Sequence, residues 1–255
     1  MSAILQVENV SKIFGGISAV NNISFSIEKG EVAGIIGPNG AGKTTIFNLI
    51  TGVYDISGGE IVFMGEKINH LKTYEVVKRG VARTFQNLRL FQASSVLENI
   101  MTAAQYHHKY SFLEAVSHFG RWEKKEAEIK KESMELLDIV GLADRAGQAA
   151  GTLPYGLQRR LEIARALSLK PELLLLDEPA AGMNAEEVSQ LNELIKKIHR
   201  DFGLTILLIE HHMDMIMEIC PHILCMNFGA LIAEGSPAEI QTHPDVLKAY
   251  LGEEE

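Results

Sequence analysis

The chain has 255 residues, of which 46% are hydrophobic and 22% are charged, and its formal net charge is −9 at pH 7. This is the composition of an ordinary globular protein that is long enough to bury a sizeable core. The acidic balance argues against a protein that neutralises the phosphate backbone of nucleic acid, and against one that adheres to an anionic membrane surface. The two cysteines, Cys220 and Cys225, are too few to build a disulfide framework and are predicted to be small buried hydrophobes in a reducing compartment.

The chain is predicted to be cytoplasmic and not itself embedded in a membrane. Near the N-terminus, Glu8 and Asn9 interrupt the sequence before an apolar region of the length of a secretory signal forms. The longest apolar stretches, such as Leu204–Ile209, fall far short of the roughly 18 residues that a membrane-spanning helix needs. Docking onto a membrane protein remains open.

The first part of the chain predicts strands and turns that surround one helix. Two stretches alternate apolar and polar residues, which is typical of half-buried strands, whereas Val32–Ile36 is a continuous apolar run that predicts a central strand covered on both faces. The predicted elements are, in order, strands Ile4–Val10, Ile23–Ile27 and Val32–Ile36, a helix at about Lys43–Thr51, a turn at Gly58–Gly59, and strands Glu60–Phe63 and Val81–Phe85.

The middle of the chain, about residues 87 to 165, predicts a helical segment. In Arg121–Val140, Glu and Lys are dense and apolar residues recur at helical spacing, which indicates an amphipathic surface helix with i,i+4 charge pairs. The stretch Gly141–Gly151 is loop-like, and a helix is predicted to begin near Gly156.

An alternation of strands and helices resumes after this segment. Leu173–Leu176 predicts a buried strand that ends at Asp177, and Asn184 with Glu187 forms a capping-box pattern that starts a helix running to about Arg200. The remaining predicted elements are strands Thr205–Ile209, Ile223–Met226 and Ala230–Ala233, followed by short helices. This order of elements around an inserted helical segment predicts an α/β core with parallel strands.

The most specific motif follows the apolar strand at 32–36. Its residues, which satisfy the pattern G-x-x-x-x-G-K-S/T, are Gly37, Pro38, Asn39, Gly40, Ala41, Gly42, Lys43 and Thr44. The glycines allow the backbone to wrap closely around phosphate oxygens, and the helix that follows presents its positive end to the same anion. Lys43 supplies a charge for the β- and γ-phosphates, and the Thr44 hydroxyl is placed to bind Mg²⁺. The motif therefore predicts a nucleotide-binding site.

A second part of the site is predicted where the strand at 173–176 ends. Two carboxylates, Asp177 and Glu178, emerge at its C-terminal end, which is where open α/β sheets bind their ligands. Asp177 suits Mg²⁺, either directly or through water, and Glu178 is placed to polarise an attacking water molecule.

These motifs, in this order, resemble the ATP-binding subunits of ABC transporters over essentially the whole chain. The resemblance extends the phosphate-binding residues to Thr45 and assigns three further ones. Phe14 matches an aromatic residue that stacks on adenine. Gln86 matches a glutamine that contacts Mg²⁺ and the attacking water, and His211 matches a histidine that contacts the γ-phosphate. Each is weak alone, so their order and spacing around the two strong motifs carry the resemblance.

The segment that defines this family, usually Leu-Ser-Gly-Gly-Gln, departs from the common pattern in this chain. The matching residues are Leu153, Pro154, Tyr155, Gly156 and Leu157. In the family this signature closes on the nucleotide of a partner subunit through a serine hydroxyl, backbone N–H groups and a helix end. Pro154 has neither hydroxyl nor N–H, so two donors are missing, and we expect the site that this signature completes to close less tightly.

The resemblance implies a fold, ligands and partners. The fold is a P-loop NTPase core with a mainly parallel sheet (residues 1–86 and 166–255), an N-terminal antiparallel β subdomain and a helical signature subdomain (87–165), all in one domain. The ligands are ATP and Mg²⁺. The partners are transmembrane permease subunits, a second ABC ATPase subunit and, indirectly, a periplasmic or extracellular solute-binding protein, with no nucleic acid. The chain would then lie on the inner face of the cell membrane, held there by the permease.

Softer features favour one branch of the family, the ATPases of branched-chain amino acid uptake systems. They are Asn87–Phe91, Ser95–Ile100, the charged helix after Trp122, Ala180–Asn184 and the tail Pro244–Glu253. The lipopolysaccharide-export ATPase, which has a similar ending, is the alternative, and the longer 87–140 segment favours the amino acid branch.

Other classes of ATPase and GTPase fit the chain less well. Only about 130 residues separate Lys43 from Asp177, which is too few for the long coiled coil of ABC proteins that act on DNA breaks. ABC proteins that act on ribosomes usually have two such domains and a basic linker. A guanine-reading Asn-Lys-x-Asp motif, typical of switch GTPases, does not occur.

Overall fold

The computed structural model describes residues 3–107 and 121–251, in which ten strands form two sheets. The strands are β1 Ala3–Phe14, β2 Ile17–Glu28, β3 Val32–Ile36, β4 Gly58–Phe63, β5 Glu66–Lys67, β6 Val81–Arg83, β7 Leu173–Asp177, β8 Thr205–Ile209, β9 His222–Asn227 and β10 Ala230–Gly235. The helices are α1 Lys43–Ile50, α2 Thr73–Lys78, α3 Val96–Ala104, α4 Arg121–Ile139, α5 Tyr155–Leu167, α6 Ala185–Phe202, α7 Met213–Ile219, α8 Pro237–Thr242 and α9 Pro244–Leu251.

The larger sheet has the strand order β10-β9-β3-β8-β7-β6 within the described residues, and all its strands except β10 run parallel. Every residue of β3, β7 and β8 is buried, as their continuous apolar runs predict. Because side chains alternate between the two faces of a strand, each of these strands supplies both cores of the molecule. In β7, for example, Leu174 and Leu176 join one core, and Leu173 and Leu175 join the other. The predicted α/β fold with a mainly parallel sheet is confirmed.

The smaller sheet is antiparallel, in the order β2-β1-β4-β5, and confirms the predicted N-terminal antiparallel part. The prediction of a turn at Gly58–Gly59 is wrong, since both glycines belong to β4. The register between β1 and β4 shifts at this point, and a Cβ on Gly59 would lie 2.4 Å from the carbonyl oxygen of Asn9. Gly59 therefore allows the close approach of two strands rather than a chain reversal.

The middle segment contains α3, α4 and α5, in agreement with its predicted helical character. Helix α3, which the sequence analysis did not assign, begins with a capping box in which Ser95 and Glu98 bond each other's backbone N–H. The loop-like stretch 141–151 contains two short 3-10 turns. Helix α5 continues past residue 165, and the proposed limits of a helical subdomain at 87 and 165 stay a prediction.

Strands β1 and β2 are longer than predicted, since β1 runs four residues past Val10 and β2 begins six residues before Ile23. The predicted boundaries of most other elements are confirmed to within about two residues. Helix α6 is capped by Asn184, whose side chain accepts from the N–H of Glu187, as the capping-box pattern predicts. The strand predicted to reach Phe85 ends at Arg83. Residues 252 and 253 of the tail lie outside the described residues. Among residues 3–107 and 121–251, no helix combines the length and apolarity that crossing a membrane requires.

Candidate functional site: a phosphate cleft at the carboxyl edge of the sheet

The site lies where three neighbouring parallel strands end. Strands β3, β8 and β7 are adjacent, and their chains continue into the glycine loop at 37–42, into His211 and into Glu178 respectively. Residues far apart in the sequence thus meet because the carboxyl ends of parallel strands share one edge of the sheet.

The glycine loop is shaped by backbone that passes close to it. Gly37 and Gly42 have φ angles of 147° and 100°, which favour glycine. A Cβ on Gly37 would lie 2.1 Å from the carbonyl oxygen of Met226, and one on Gly42 would lie 2.5 Å from that of Ala19. Both positions therefore require glycine for space as well as for conformation.

Lys43 and the start of α1 give the loop its positive character. Helix α1 begins at Lys43, no side chain of the described residues caps its N-terminal N–H groups, and its first turn holds no acidic residue. These are the properties of a helix end that binds an anion. The Lys43 ammonium is buried and donates to the carbonyl oxygens of Gly37, at 2.6 Å, and Pro38, at 3.0 Å. Burial lowers the pKa of Lys43, and the nearby Glu178 carboxylate opposes this change.

A cleft of about 280 Å³ lies over this loop. Its lining consists of Ala19, Asn39, Gly40, Ala41, Gly42, Lys43, Thr44, Thr45, Gln86, Glu178 and His211. The structure therefore brings together most residues of the predicted nucleotide site. Phe14 is not part of this lining. Its ring is partly exposed and makes an edge-to-face contact with Tyr54, and the Lys12 ammonium lies 4.8 Å from its centre.

Glu178 occupies the centre of the polar groups that line the cleft. Its backbone is held at φ 48° while its N–H donates to the carbonyl oxygen of Ile209, 2.9 Å away. Its Oε2 accepts from Gln86 Nε2 at 2.7 Å, and its Oε1 lies 2.9 Å from His211 Nε2. The three residues predicted to be catalytic, Gln86, Glu178 and His211, thus form one connected group in the cleft that Lys43 also lines.

Asp177 is buried behind this group and does not line the cleft. Its Oδ2 accepts from Arg83 Nη2 at 2.6 Å, whereas its Oδ1 is buried and has no hydrogen-bond partner among the described residues. Burial raises the pKa of Asp177, and the Arg83 guanidinium opposes the rise. Mg²⁺ prefers oxygen ligands, and the site supplies three: the hydroxyl of Thr44, the amide oxygen of Gln86 and the carboxylate of Asp177. The unpaired Oδ1 of Asp177 is suited to accept a hydrogen bond from a water molecule bound to the ion.

Two charged residues of the site were not predicted from the sequence. Arg83 holds Asp177 as described above. Glu210 is buried, and its Oε1 accepts from the N–H of Ala180 at 2.6 Å, while its Oε2 accepts from the N–H of His211 at 2.9 Å. Glu210 thus fixes the loop after β7 and the loop after β8 to each other. The signal that could have indicated Glu210 is its position directly after the apolar run Ile206–Ile209.

The signature residues lie elsewhere on the chain. Pro154 is the N-cap of α5, which begins at Tyr155, and within residues 3–107 and 121–251 no side chain caps this helix end. Pro154, Gly156 and Leu157 line a separate small cleft, with Glu187 of α6, and none of them lines the phosphate cleft of its own chain. The role of the signature at the nucleotide of a partner stays a prediction.

Comparison with known proteins supports this description at the level of the whole chain. A family model described as "ABC transporter" matches residues 20–181, and one described as "Branched-chain amino acid ATP-binding cassette transporter" matches residues 230–255. Among solved structures, the ADP conformation of MJ1267, an ATP-binding cassette of an ABC transporter, superposes with a TM-score of 0.86. It is 32% identical in sequence, and the match covers 99% of this chain and 100% of that one.

Curated relatives extend over nearly the same length. The chain is 44% identical over 250 residues to the high-affinity branched-chain amino acid transport ATP-binding protein BraF of Pseudomonas aeruginosa. It is 41% identical over 250 residues to the corresponding LivG protein of Salmonella typhimurium. Each alignment covers 98% of this chain and 98% of the relative.

The chain has a glycine loop ahead of a helix, and two carboxylates lie beside this loop at the end of a central parallel strand. These features define a P-loop nucleotide-binding protein. Its architecture is that of an ATP-binding cassette. The chain belongs to the ABC transporter family, as the ATPase subunit that powers transport.

Proposed function

We propose that this chain binds and hydrolyses ATP to drive an importer of branched-chain or other hydrophobic amino acids. The observation that carries the proposal is the connected group Gln86–Glu178–His211, which lines the phosphate cleft together with Lys43. The relatives named above, which match along nearly the whole chain, support the choice of amino acids as the transported solute.

The loop and the polar residues of the cleft have proposed roles in hydrolysis. The loop at 37–45 binds the phosphates through its backbone N–H groups and Lys43. Thr44, Gln86 and Asp177 would hold Mg²⁺, which neutralises charge on the β- and γ-phosphates when bound. Glu178 orients and polarises the attacking water, and His211 contacts the γ-phosphate. Positioning and electrostatic stabilisation account for most of the catalysis in phosphoryl transfer.

The active form in this proposal is a head-to-tail dimer with a second ABC ATPase subunit. Pro154, Tyr155, Gly156 and Leu157 of one subunit would close on the nucleotide bound by the other, and Phe14 would stack on adenine. The position of the signature outside the phosphate cleft of its own chain supports this arrangement. Binding of ATP then closes the dimer, and hydrolysis with phosphate release opens it.

The proposed membrane partner is a permease subunit. A groove of about 230 Å³ lies between the larger sheet and the helical segment, and most of its lining is apolar, including Val77, Phe85 and Leu169. A helix of a permease loop has the right chemistry to fill it, and its contact with Phe85 would lie next to Gln86. Through this contact the chain would be held at the inner face of the membrane, with the solute-binding protein acting on the other side.

Replacing Glu178 with Gln tests the proposed hydrolytic site. The substitution keeps the size of the side chain but removes the carboxylate, so turnover should fall at least about 100-fold. Binding of ATP with Mg²⁺, measured by calorimetry, should remain within about threefold of the wild type because the glycine loop and Lys43 are unchanged. Glu66→Gln, at an exposed carboxylate paired with Arg79, should leave phosphate release unchanged. Wild-type turnover by Glu178→Gln would exclude Glu178 as the base, and absence of ATP binding by the wild type would overturn the proposed function.

A second experiment tests the assignment to transport. The tagged chain, expressed from its own genome and extracted from membranes with mild detergent, should co-purify with a polytopic membrane protein. Cells that lack the chain should lose uptake of labelled leucine and regain it when the wild type, but not Glu178→Gln, is restored. Normal leucine uptake without the chain would overturn the proposed solute.

A further inference from the structure

One buried charge near the site has no role in the proposed mechanism. Arg159 lies on α5, one turn after the signature residue Tyr155, and its side chain is completely buried. A buried arginine is rare and is costly where its donors are unsatisfied. Nη1 and Nη2 of Arg159 are hydrogen-bonded, whereas its Nε has no partner among the described residues.

The donors of Arg159 reach the backbone that carries Gln86. Its Nη1 donates to the carbonyl oxygen of Phe85 at 2.7 Å, and its Nη2 donates to that of Gln86 at 2.9 Å. The two hydrogen bonds span the residues on both sides of the Phe85–Gln86 peptide bond. The planar fork of a guanidinium is suited to this contact because it offers two donors in a fixed geometry.

The same face of α5 makes further contacts with this backbone. Glu162 pairs with Arg159 Nη1 at 2.7 Å and accepts from the N–H of Phe85 at 3.3 Å. Arg165, one turn further on, donates to the carbonyl oxygen of Arg89. Positions 159 and 162 are one helical turn apart and point in the same direction. Helix α5 is thereby fixed to the segment 85–89 by charged side chains and not by apolar packing alone.

We propose that Arg159 is a positioning residue that fixes Gln86 relative to the signature helix. Gln86 faces the nucleotide of its own chain, and the N-terminus of α5 faces that of the partner. The two nucleotide sites of a dimer are therefore coupled through the contacts of Arg159 with Phe85 and Gln86. This inference rests on the proposed function. It does not make Arg159 a catalytic residue, because its side chain is buried and reaches the proposed nucleotide sites only through the Gln86 backbone and the Tyr155 hydroxyl, to which Nη2 donates at 3.0 Å.

A role in stability alone is the competing explanation. Replacing a buried ion pair with neutral side chains of similar size is often neutral for stability, so the pair is not needed simply to fill the space. The two explanations differ in what they predict for Gln86. A positioning role acts through the Gln86 side chain, whereas a stability role does not depend on it.

The double variant Arg159→Met/Glu162→Gln tests the proposal without leaving either charge buried and unpaired. We expect its kcat for ATP hydrolysis to fall by about 10- to 100-fold, because displacing a catalytic group by about 1 Å has effects of this size. Its KM for ATP should stay within about threefold of the wild type, since the glycine loop is unchanged. The control Arg200→Met removes an exposed arginine at the end of α6 and should hydrolyse ATP at the wild-type rate.

Combining these changes with Gln86→Ala separates the two explanations. If Arg159 acts through Gln86, the triple variant should be no slower than Gln86→Ala alone. A further loss equal to that seen in the wild-type background would overturn the proposal.

Arg159→Lys serves as a second variant if the double variant does not fold. It keeps the charge beside Glu162 but cannot offer two donors in the fixed geometry of a guanidinium, so kcat should fall while KM is unchanged. If the wild type hydrolyses ATP and the variants have the same kcat, the inference about Arg159 is wrong but the proposed function stands. If the wild type has no ATPase activity, the proposed function is wrong as well.

Discussion

Four polar side chains of the phosphate cleft, those of Lys43, Gln86, Glu178 and His211, have partners within the chain before any nucleotide enters. Lys43 uses two of its three donors on the loop carbonyls of Gly37 and Pro38, and Glu178 holds Gln86 and His211. Binding a triphosphate must therefore exchange these contacts for new ones. Because each group gives up one hydrogen-bond partner for another, each new contact adds less to the free energy of nucleotide binding than its strength in isolation.

The two cysteines provide a test of burial at the residue scale. Burial raises the pKa of the Cys225 thiol to about 11, with Lys43 opposing the rise, and burial also raises the pKa of Cys220. At pH 8 the thiolate of Cys225 would amount to about one part in a thousand, and the thiolate is the reactive form. We expect neither thiol of the native chain to react with Ellman's reagent at pH 8, and both to react in guanidinium.

Tyr74→Cys is the matched control for this measurement, because Tyr74 is exposed on α2. The added thiol should react at once in the native protein, so that one thiol per chain is counted before unfolding and three after it. Rapid reaction of one thiol in the native wild type would contradict the burial of Cys220 and Cys225.

Residues with local signals could be predicted from the sequence, and residues defined by distant partners could not. Lys43 and Glu178 follow from motifs whose chemistry depends on their own strand and loop. Arg83, by contrast, acquires its role from Asp177, which lies 94 positions along the chain. Arg159 similarly contacts backbone 73 and 74 positions away, which no pattern around residue 159 indicates.

At the scale of elements, prediction succeeded where one physical signal dominates. The continuous apolar runs of β3, β7 and β8 indicate burial on both faces, and Asn184 with Glu187 fixes the start of α6. It failed at Gly58 and Gly59, because glycine serves turns and close strand contacts equally, and only the position of β1 decides between them. The short helix α2 was missed because its six residues hold less than two turns of periodic pattern.

Helix α5 begins without the side-chain cap that α3 and α6 have, and this is the element-scale basis for a prediction about the signature. Pro154 is its N-cap and cannot bond the free N–H groups of the first turn. Serine at an N-cap stabilises a helix by about 1 kcal/mol relative to residues that cannot cap. We expect Pro154→Ser/Leu157→Gln to raise both steady-state ATPase activity and ATP-driven dimerisation, measured by phosphate release and by light scattering.

The proline at the start of α8 provides the control for that change. Pro237 is the first residue of its helix, one position after the N-cap Ser236, and it lies outside both clefts, so Pro237→Ser should leave ATPase activity and dimerisation unchanged. Leu157 is partly buried against the core, and its exchange should cost some stability. A double variant that is folded yet gains neither activity nor dimer would show that these two positions do not limit closure.

For the whole molecule, the nucleotide site is a product of chain topology. The loop at 37–42 and residues Gln86, Glu178 and His211 come from four separate parts of the chain and meet because the order of the parallel strands places their ends together. A ligand that contacts all four parts stabilises the fold as a unit, since it binds the folded chain and not the unfolded one. This links nucleotide affinity to the thermal stability of the protein.

We therefore expect Mg²⁺ and ATP to raise the melting temperature of the chain. At 100 times the Kd, binding adds about 2.7 kcal/mol to the free energy of unfolding. A domain of roughly this size gains about 2–4 °C per kcal/mol, so the shift in Tm should be about 5–10 °C. Lys43→Ala should abolish most of this shift, because it removes the buried charge that faces the phosphates. Differential scanning calorimetry of the Glu178→Gln variant, which does not consume the ligand, is the suitable measurement.

The comparison with Lys43→Ala separates binding in the cleft from a general effect of the nucleotide on stability. Among the described residues, Lys43 donates hydrogen bonds only to loop carbonyls, so its removal should change the Tm without ATP much less than the Tm with ATP. Lys67→Ala removes an exposed ammonium paired with Glu60 and should keep the full shift. Equal Tm shifts in Lys43→Ala and Lys67→Ala would mean that ATP binds outside the loop at 37–45. The cleft formed by the four parts of the chain would then not be the ATP site.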